Sequence, residues 1–304
     1  MKIAIIGAGL SGSNIYSKLK KDGHDVTLFE KSRGSGGRCS TRYINDNKIN
    51  HGTSSFTIKK DDFKKFCDEK INENILLKNE TNYYALDGMN KLCSSLIDMK
   101  DLIKNTKITS CTFRNKKWIL RDENRISYEG FDKLILSIPA AQILELDINI
   151  TIQIQKQLEK VKYDSIATLI VYSHSLEKIN NKALLQSKNF HKIIDNSIQK
   201  NNKNFSCYIF HLNQELTNKQ NFEDKEMIKK YILNKIYDES GLCLEDNFHV
   251  FPHFWKYALV LEKLNQDYIY DENLGLGICG DYFNGNNLES AFLSSKRLYE
   301  DKFR

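Results

Sequence analysis

From Lys2 to Glu30 the chain reads KIAIIGAGLSGSNIYSKLKKDGHDVTLFE. Lys2–Gly7 is a short, wholly apolar strand pattern, Leu10–Lys21 has helical spacing, and Val26–Glu30 is strand-like again. Asp22-Gly23 stands where a helix C-terminus wants positive φ. A strand, a helix and a strand within about thirty residues make a βαβ unit, which requires a parallel sheet and a right-handed crossover.

Within that unit Gly7-Ala8-Gly9-Leu10-Ser11-Gly12 fits G-x-G-x-x-G between strand and helix. Gly7 permits the tight turn, Gly9 lets a pyrophosphate approach the backbone, and Gly12 lets helix and strand pack closely. The phosphates would then face the free N–H groups at the positive end of the helix. Glu30, with Lys31 directly after it, ends the second strand where an acidic side chain accepts ribose hydroxyls. The spacing predicts dinucleotide binding.

Two further segments bear on which dinucleotide it is. Arg33-Gly34-Ser35-Gly36-Gly37-Arg38 is a second glycine-rich turn whose Arg38 can add a fork-shaped cation to the same pyrophosphate. Gly280-Asp281, just before a closing helix, can set a carboxylate on a sugar-like hydroxyl chain. FAD has such a ribityl chain and a nicotinamide cofactor has none, so FAD is expected; the other reading of Asp281 is an ordinary helix cap.

The glycines themselves point the same way. Of fifteen in 304 residues, seven fall between Gly7 and Gly37 and four between Gly275 and Gly285. One site assembled from both ends of the chain is expected. With only two prolines the chain is neither collagen-like nor low in complexity, and its length allows about two domains. Hydrophobic residues make up 40%, enough for packed cores, and no run approaches a membrane span. Met1-Lys2-Ile3 leads straight into a strand rather than a signal peptide, so a cytoplasmic protein without membrane association is expected.

Seven cysteines without a C-x-x-C pair read as scattered reduced thiols, and no metal site is expected. The net charge of +6 is spread over interleaved lysines, with no dense basic block beyond Lys-Asn-Asn-Lys at 200–203. Nucleic acid is therefore not an expected partner.

Further along, helices are expected over Asp61–Glu69, Met89–Asp98, Ile152–Val161, Lys225–Ser240 and Leu288–Phe303. Strands are expected over Lys107–Phe113, Lys117–Arg121, Lys133–Ile138, Ser165–Ser173, Asn204–Leu212, Phe248–Tyr257 and Leu274–Asp281. The fold class is α/β: a Rossmann-type FAD-binding domain with a parallel sheet, plus an inserted mixed α+β substrate domain. Residues 1–60, 82–140 and 262–304 are assigned to the first, and 61–81 and 141–261 to the second.

The GAGLSG turn, the E-K-S-R-G-S-G-G-R segment and the terminal LGLGICGDYFNGNNLESAFLSSKRL resemble renalase-type flavoproteins, small members of the amine-oxidase-like FAD superfamily. The likeness continues in order through His51-Gly52, Phe56-Thr57, Gly88-Met89-Asn90, Trp118, Ile138-Pro139, His211 and Trp255-Lys256-Tyr257-Ala258. It implies that Ser11, Arg38, Gly52 and Thr53 touch FAD and that Ile108 offers its backbone to the adenine. Asp281, Glu289 and Ala291 would run beside the ribityl chain and flavin ring.

Renalases oxidise misreduced 2- and 6-dihydro isomers of NAD(P)H and pass the electrons to O2, giving H2O2. The resemblance therefore implies a small-molecule substrate, a reduced nicotinamide dinucleotide isomer, and a monomer or weak dimer. A dihydropyridine is already a hydride donor, so orientation matters more than an acid or base. Trp255, Tyr257, Phe56 and His211 are the candidates for the pocket and Lys256 for its charge, although Trp255 and Phe56 would serve equally as core and His211 as a structural histidine.

Two departures bear on the substrate. Thr53-Ser54-Ser55 stands where renalases commonly carry Ala-Gln-Tyr, and Lys256 stands for their Arg, losing bidentate phosphate binding. The alternatives are an amine oxidase of the same superfamily, a carotenoid- or porphyrinogen-type desaturase, and a non-catalytic flavin-binding electron carrier.

Overall fold

The opening strand–helix–strand unit forms as its pattern requires. In the computed structural model, which describes residues 1–44, 47–174, 179, 181–196 and 205–304, it comprises β1 (Lys2–Ile6), α1 (Leu10–Lys21) and β2 (Asp25–Phe29). The strands are parallel, with Ile6 opposite Phe29. Gly23 takes φ +80 just beyond α1.

Paired strands β3 (Thr41–Ile44) and β4 (Asn47–Asn50) follow, then α2 (Asp61–Asn72) and the hairpin of β5 (Leu76–Asn79) and β6 (Asn82–Ala85). Next come α3 (Lys91–Ser94), β7 (Leu102–Ile103), β8 (Ile108–Arg114), β9 (Lys117–Asp122), β10 (Ser127–Phe131) and β11 (Lys133–Leu136). The chain continues through α4 (Ala140–Leu144), β12 (Asp147–Ile148), α5 (Ile152–Glu159), β13 (Lys162–Ser173), α6 (Lys182–Leu185) and β14 (Phe190–Asp195). It closes with β15 (Ser206–Leu212), α7 (Gln214–Lys219), α8 (Lys225–Ser240), β16 (His249–Glu262), β17 (Ile269–Asp271), β18 (Leu276–Ile278) and α9 (Leu288–Lys302).

These elements form two units. The first takes residues 1–41, 52–162 and 260–304. Its six-stranded sheet has the order β17-β18-β11-β1-β2-β7, parallel except for the edge strand β17. β1 lies inside that sheet and buries Ile3, Ala4, Ile5 and Ile6, which is why its sequence is a continuous apolar run. Ile15 and Leu19 of α1 and Leu298 of α9 share one core cluster with Ile3, Ile5 and Leu28. Burying each such side chain stabilises the fold by roughly 1.5–3 kcal/mol. The order β10-β9-β8-β12 makes a second, four-stranded sheet.

The second unit takes residues 42–51 and 163–259, around a sheet ordered β14-β15-β13-β16. β13 and β14 both pair antiparallel with β15. Ile228, Ile232 and Ile236, at helical spacing on α8, cluster with Leu169, Val171 and Phe210 from the sheet. Ile49 of β4 clusters with Ile170, Ile209 and Cys207. Strand alternation places these two sets on opposite faces of the sheet.

Some boundaries differ from the sequence expectation. Residues 61–81 fall in the first unit, because Phe63 and Phe66 of α2 pack against Phe292 of α9 at ring distances of 5.3 and 4.7 Å. Residues 42–51 fall in the second unit and 141–162 in the first. The helix expected over Met89–Asp98 is only α3, since the amides of Leu96 and Ile97 bond three residues back, to Cys93 and Ser94, and tighten the chain out of α geometry. The strand expected over Leu274–Asp281 shortens to β18, with Gly275 turning the chain at φ +60. Asn204 and the 200–203 run lie outside the described residues.

All seven cysteines are free, six of them buried. Burial pushes the thiols of Cys67, Cys111 and Cys279 up to about 12, so they stay protonated and unreactive. No helix among the described residues is long and apolar enough to cross a membrane.

Candidate functional site

The glycine turn in the first unit has the steric character its sequence implies. Gly7 adopts φ +105, and its amide donates to Phe29 O at 2.8 Å. A Cβ on Gly12 would lie 2.0 Å from the Gly7 carbonyl oxygen, so only glycine fits where α1 crosses the turn. At Gly9, by contrast, a Cβ would meet nothing within 4 Å. Gly9 is also the N-cap of α1; no side chain caps the helix and no acidic residue lies in its first turn. The result is open space beside uncapped helical N–H groups, a place suited to a phosphate.

The Gly34–Gly37 loop folds onto that turn. The Gly36 amide donates to Ala8 O at 2.8 Å, and the Cβ position of Gly37 is 3.4 Å from Gly9 Cα. Gly36 and Gly37 take φ +133 and +54, values that side chains other than glycine's rarely allow. Arg38 follows at once, and its guanidinium pairs with the Asp281 carboxylate at 2.5 Å. The two glycine-rich ends of the chain therefore meet in one site, as their spacing implies. A guanidinium offers several donors and a carboxylate two acceptor oxygens, so such a pair is of a kind that phosphate and hydroxyl groups can join.

Glu30 is buried, and its two oxygens accept the amides of Ala8 at 3.0 Å and Ser32 at 2.8 Å. The 103–106 segment runs beside it, Thr106 donating its amide to Glu30 O. Ile108 comes two residues later at the start of β8, and Lys31 is exposed. The Thr53 amide donates to Arg38 O at 2.9 Å, which holds Gly52-Thr53 against the second loop.

Three of the expected cofactor residues have hydrogen-bond partners within the protein. The Ser11 hydroxyl donates to Ala291 O at 2.8 Å and so ties α1 to α9. Glu289, in the first turn of α9, accepts the amides of Lys59 and Lys60 at 2.9 and 2.7 Å. Gly280 donates its amide to the Ser294 hydroxyl at 3.2 Å. These bonds position the loop that presents Asp281.

The remaining expected residues belong to the second unit, apart from Phe56. Phe56 is partly buried, stacks on Tyr83 and packs against Phe63 of a core cluster in the first unit. His211 on β15 is buried and shares a hydrogen bond of 2.9 Å between Nδ1 and the Thr168 hydroxyl. Burial lowers its pKa to about 3, with His191, Lys192, His51 and His253 adding to the shift, so it is neutral near pH 7.

Trp255 on β16 stacks on His51, with ring centroids 5.3 Å apart, and donates its indole N–H to His51 O. Successive strand residues point to opposite faces, and the exposed Lys256 side chain lies over the neighbouring Tyr257 ring at 5.1 Å. Tyr257 makes an edge contact with Tyr163.

His51, named above only for the resemblance, and His253, which the sequence did not single out, sit beside Trp255. The ring centroids of His253 are 4.9 Å from His51 and 4.3 Å from Trp255. Burial lowers both histidines to about 4. The signal for His253 was present in the strand, where His249, Phe251, His253 and Trp255 recur at every second position. Arg42, over the Phe251 ring at 5.0 Å, had none, because its partner lies some two hundred residues away.

Residues 5–69 match the model of an NAD(P)-binding Rossmann-like domain. A phytoene desaturase from Phycomyces blakesleeanus is 34% identical over 84 residues, which are 27% of this chain and 14% of that protein. A 4,4'-diapophytoene desaturase from Staphylococcus aureus strain Newman is 50% identical over 40 residues, 13% of this chain and 8% of the relative.

Among solved structures, a protein provisionally assigned as a protoporphyrinogen oxidase from Exiguobacterium sp. 255-15 superposes with TM-score 0.69 at 11% identity. A fatty acid isomerase from P. acnes that produces CLA gives 0.68 at 13%, and a putrescine oxidase in complex with putrescine 0.63 at 11%. The first two alignments cover 99% of this chain and 98% of theirs, the third 99% of both. The chain shares its fold with these proteins, and its residues 5–69 are similar to an NAD(P)-binding Rossmann-like domain.

Proposed function

We propose that this protein is an FAD-dependent oxidoreductase that takes a hydride from a dihydronicotinamide substrate, a 2- or 6-dihydro isomer of NAD(P)H. The meeting of Arg38 with Asp281 beside the open backbone at Gly9 carries the FAD reading. A pyrophosphate fits the Gly9 opening and the Arg38 fork, while Asp281 is available to a ribityl hydroxyl. Bound FAD would supply the two-electron acceptor. With O2 as final acceptor the balance is substrate plus O2 plus a proton, giving NAD(P)+ and H2O2.

For the substrate, the support is chemical. The histidines near Trp255 are neutral, and hydride loss from a dihydropyridine needs no protonated acid. The flat rings of Trp255 and His51 suit a planar substrate. The purified protein should be yellow, and anaerobic mixing with the isomers should bleach the flavin within seconds. A colourless protein that takes up no FAD would end the cofactor reading.

The fold shared with putrescine oxidase favours a second reading, an amine oxidase. The Arg42 cation beside Phe251 disfavours an ammonium ligand. Bleaching by amines and not by the dihydro isomers would decide for this alternative.

A further inference from the structure

Strand alternation along β16 sets Phe251, His253 and Trp255 in one row, and the ring contacts bear it out. Tyr172 stacks on Phe251 at 5.8 Å, and His51 touches both His253 and Trp255. Arg42 closes one end of this row, its guanidinium 5.0 Å from the Phe251 centroid. All of these residues belong to the second unit.

Arg42 is half-buried, and among the described residues it forms no ion pair. The cation–π contact with Phe251 offsets only part of the cost of removing a guanidinium from water. A positive charge held this way, at the end of a row of neutral rings, complements a ligand that is anionic at one end and flat at the other. Four residues of strand separate Phe251 from Trp255, about 13 Å at roughly 3.3 Å per residue. That is enough to keep a phosphate and a ring apart.

We infer that this face of the second unit binds the phosphate-bearing part of the substrate at Arg42 and stacks its planar ring against Trp255, which the buried His51 backs. Arg42 is then a specificity-determining residue, in the role the sequence suggested for Lys256. The inference rests on the reading that the substrate is a reduced nicotinamide nucleotide.

The test uses the holoprotein and two probes, a dihydro isomer of NAD and the corresponding phosphate-free dihydronicotinamide riboside. Apparent affinities come from the substrate dependence of anaerobic flavin bleaching. The wild type should prefer the dinucleotide, and in Arg42→Gln that preference should narrow about tenfold, with part of it restored in Arg42→Lys. An unchanged preference in Arg42→Gln would overturn the inference while leaving the substrate reading intact.

A second readout separates the two failures. Trp118 is fully buried, so ligand quenching of tryptophan fluorescence should come from Trp255 and vanish in Trp255→Phe. If no nicotinamide isomer bleaches the flavin, yet oxidised NAD still quenches Trp255 in a way weakened by Arg42→Gln, the substrate reading falls and the surface stands. Absence of saturable quenching in the wild type overturns the surface.

Discussion

Arg38 and Asp281 are 243 positions apart in the chain, and their side chains meet at 2.5 Å. Asp281 is almost fully buried while Arg38 remains partly open, so the pair joins the second glycine loop to the carboxy-terminal segment without sealing either group from a ligand. Replacing Arg38 by Ala leaves the Asp281 carboxylate buried without this partner. Thermal unfolding should show a loss of about 1–3 kcal/mol, smaller than for a fully buried pair because Arg38 is in contact with water. The isolated variant should also hold less FAD than the wild type, and full occupancy would remove the pyrophosphate role.

Gly9 and Gly12 separate folding from binding. A Cβ at Gly12 collides with the Gly7 carbonyl, so Gly12→Ala should cost about 3 kcal/mol or more and yield little soluble protein. A Cβ at Gly9 meets no protein atom within 4 Å. Gly9→Ala should keep the wild-type circular dichroism and melting behaviour while losing most of its FAD.

Histidine burial makes stability depend on pH. His51 and His211 are held neutral, with pKa values lowered from 6.5 to about 4 and about 3. The unfolded chain binds protons at these sites below pH 6.5 and the folded chain does not. Stability therefore falls as the pH drops from 6.5 towards 4 and continues to fall towards 3 through His211.

The charged groups acting on these two residues reinforce the sign, although a hydrogen bond with the Ile49 backbone opposes it in part at His51. Arg42 lies near His51, and His191, Lys192, His51 and His253 near His211; a positive charge on any of them disfavours protonation. Denaturant midpoints across this range should report a loss of several kcal/mol. The His211→Gln variant, which cannot titrate, should show a shallower dependence.

Lys256 gives a contrast with Arg42. It is exposed, alternates with Trp255 along β16 and lies over the Tyr257 ring. Lys256→Ala should change the apparent substrate affinity by less than about twofold, in line with the small worth of exposed charges. A loss as large as that expected for Arg42→Gln would return the charge role to Lys256.

Much of the helical structure was legible in the sequence, because its signals are local. The boundaries of α1 and α8 coincide with the expected helices, since apolar spacing and the glycines that follow are properties of a few consecutive residues. The paired strands β3 and β4 were not foreseen, because neither carries a distinctive pattern. Phe56, which the sequence leaves between pocket lining and core, packs against Tyr83 and Phe63, because an aromatic residue's type does not say which neighbours will enclose it.

By itself the sequence determined the βαβ unit, the steric demand at Gly7 and Gly12, and hence the dinucleotide-binding turn. Backbone sterics and hydrophobic periodicity act over a few residues and need no distant partner to be read. Only the tertiary structure decided that Arg38 pairs with Asp281, that Ser11 and Glu289 bond to protein groups, and that Arg42 and His51 align with β16. These relationships depend on which strand and loop lie side by side, and that follows from packing the whole chain.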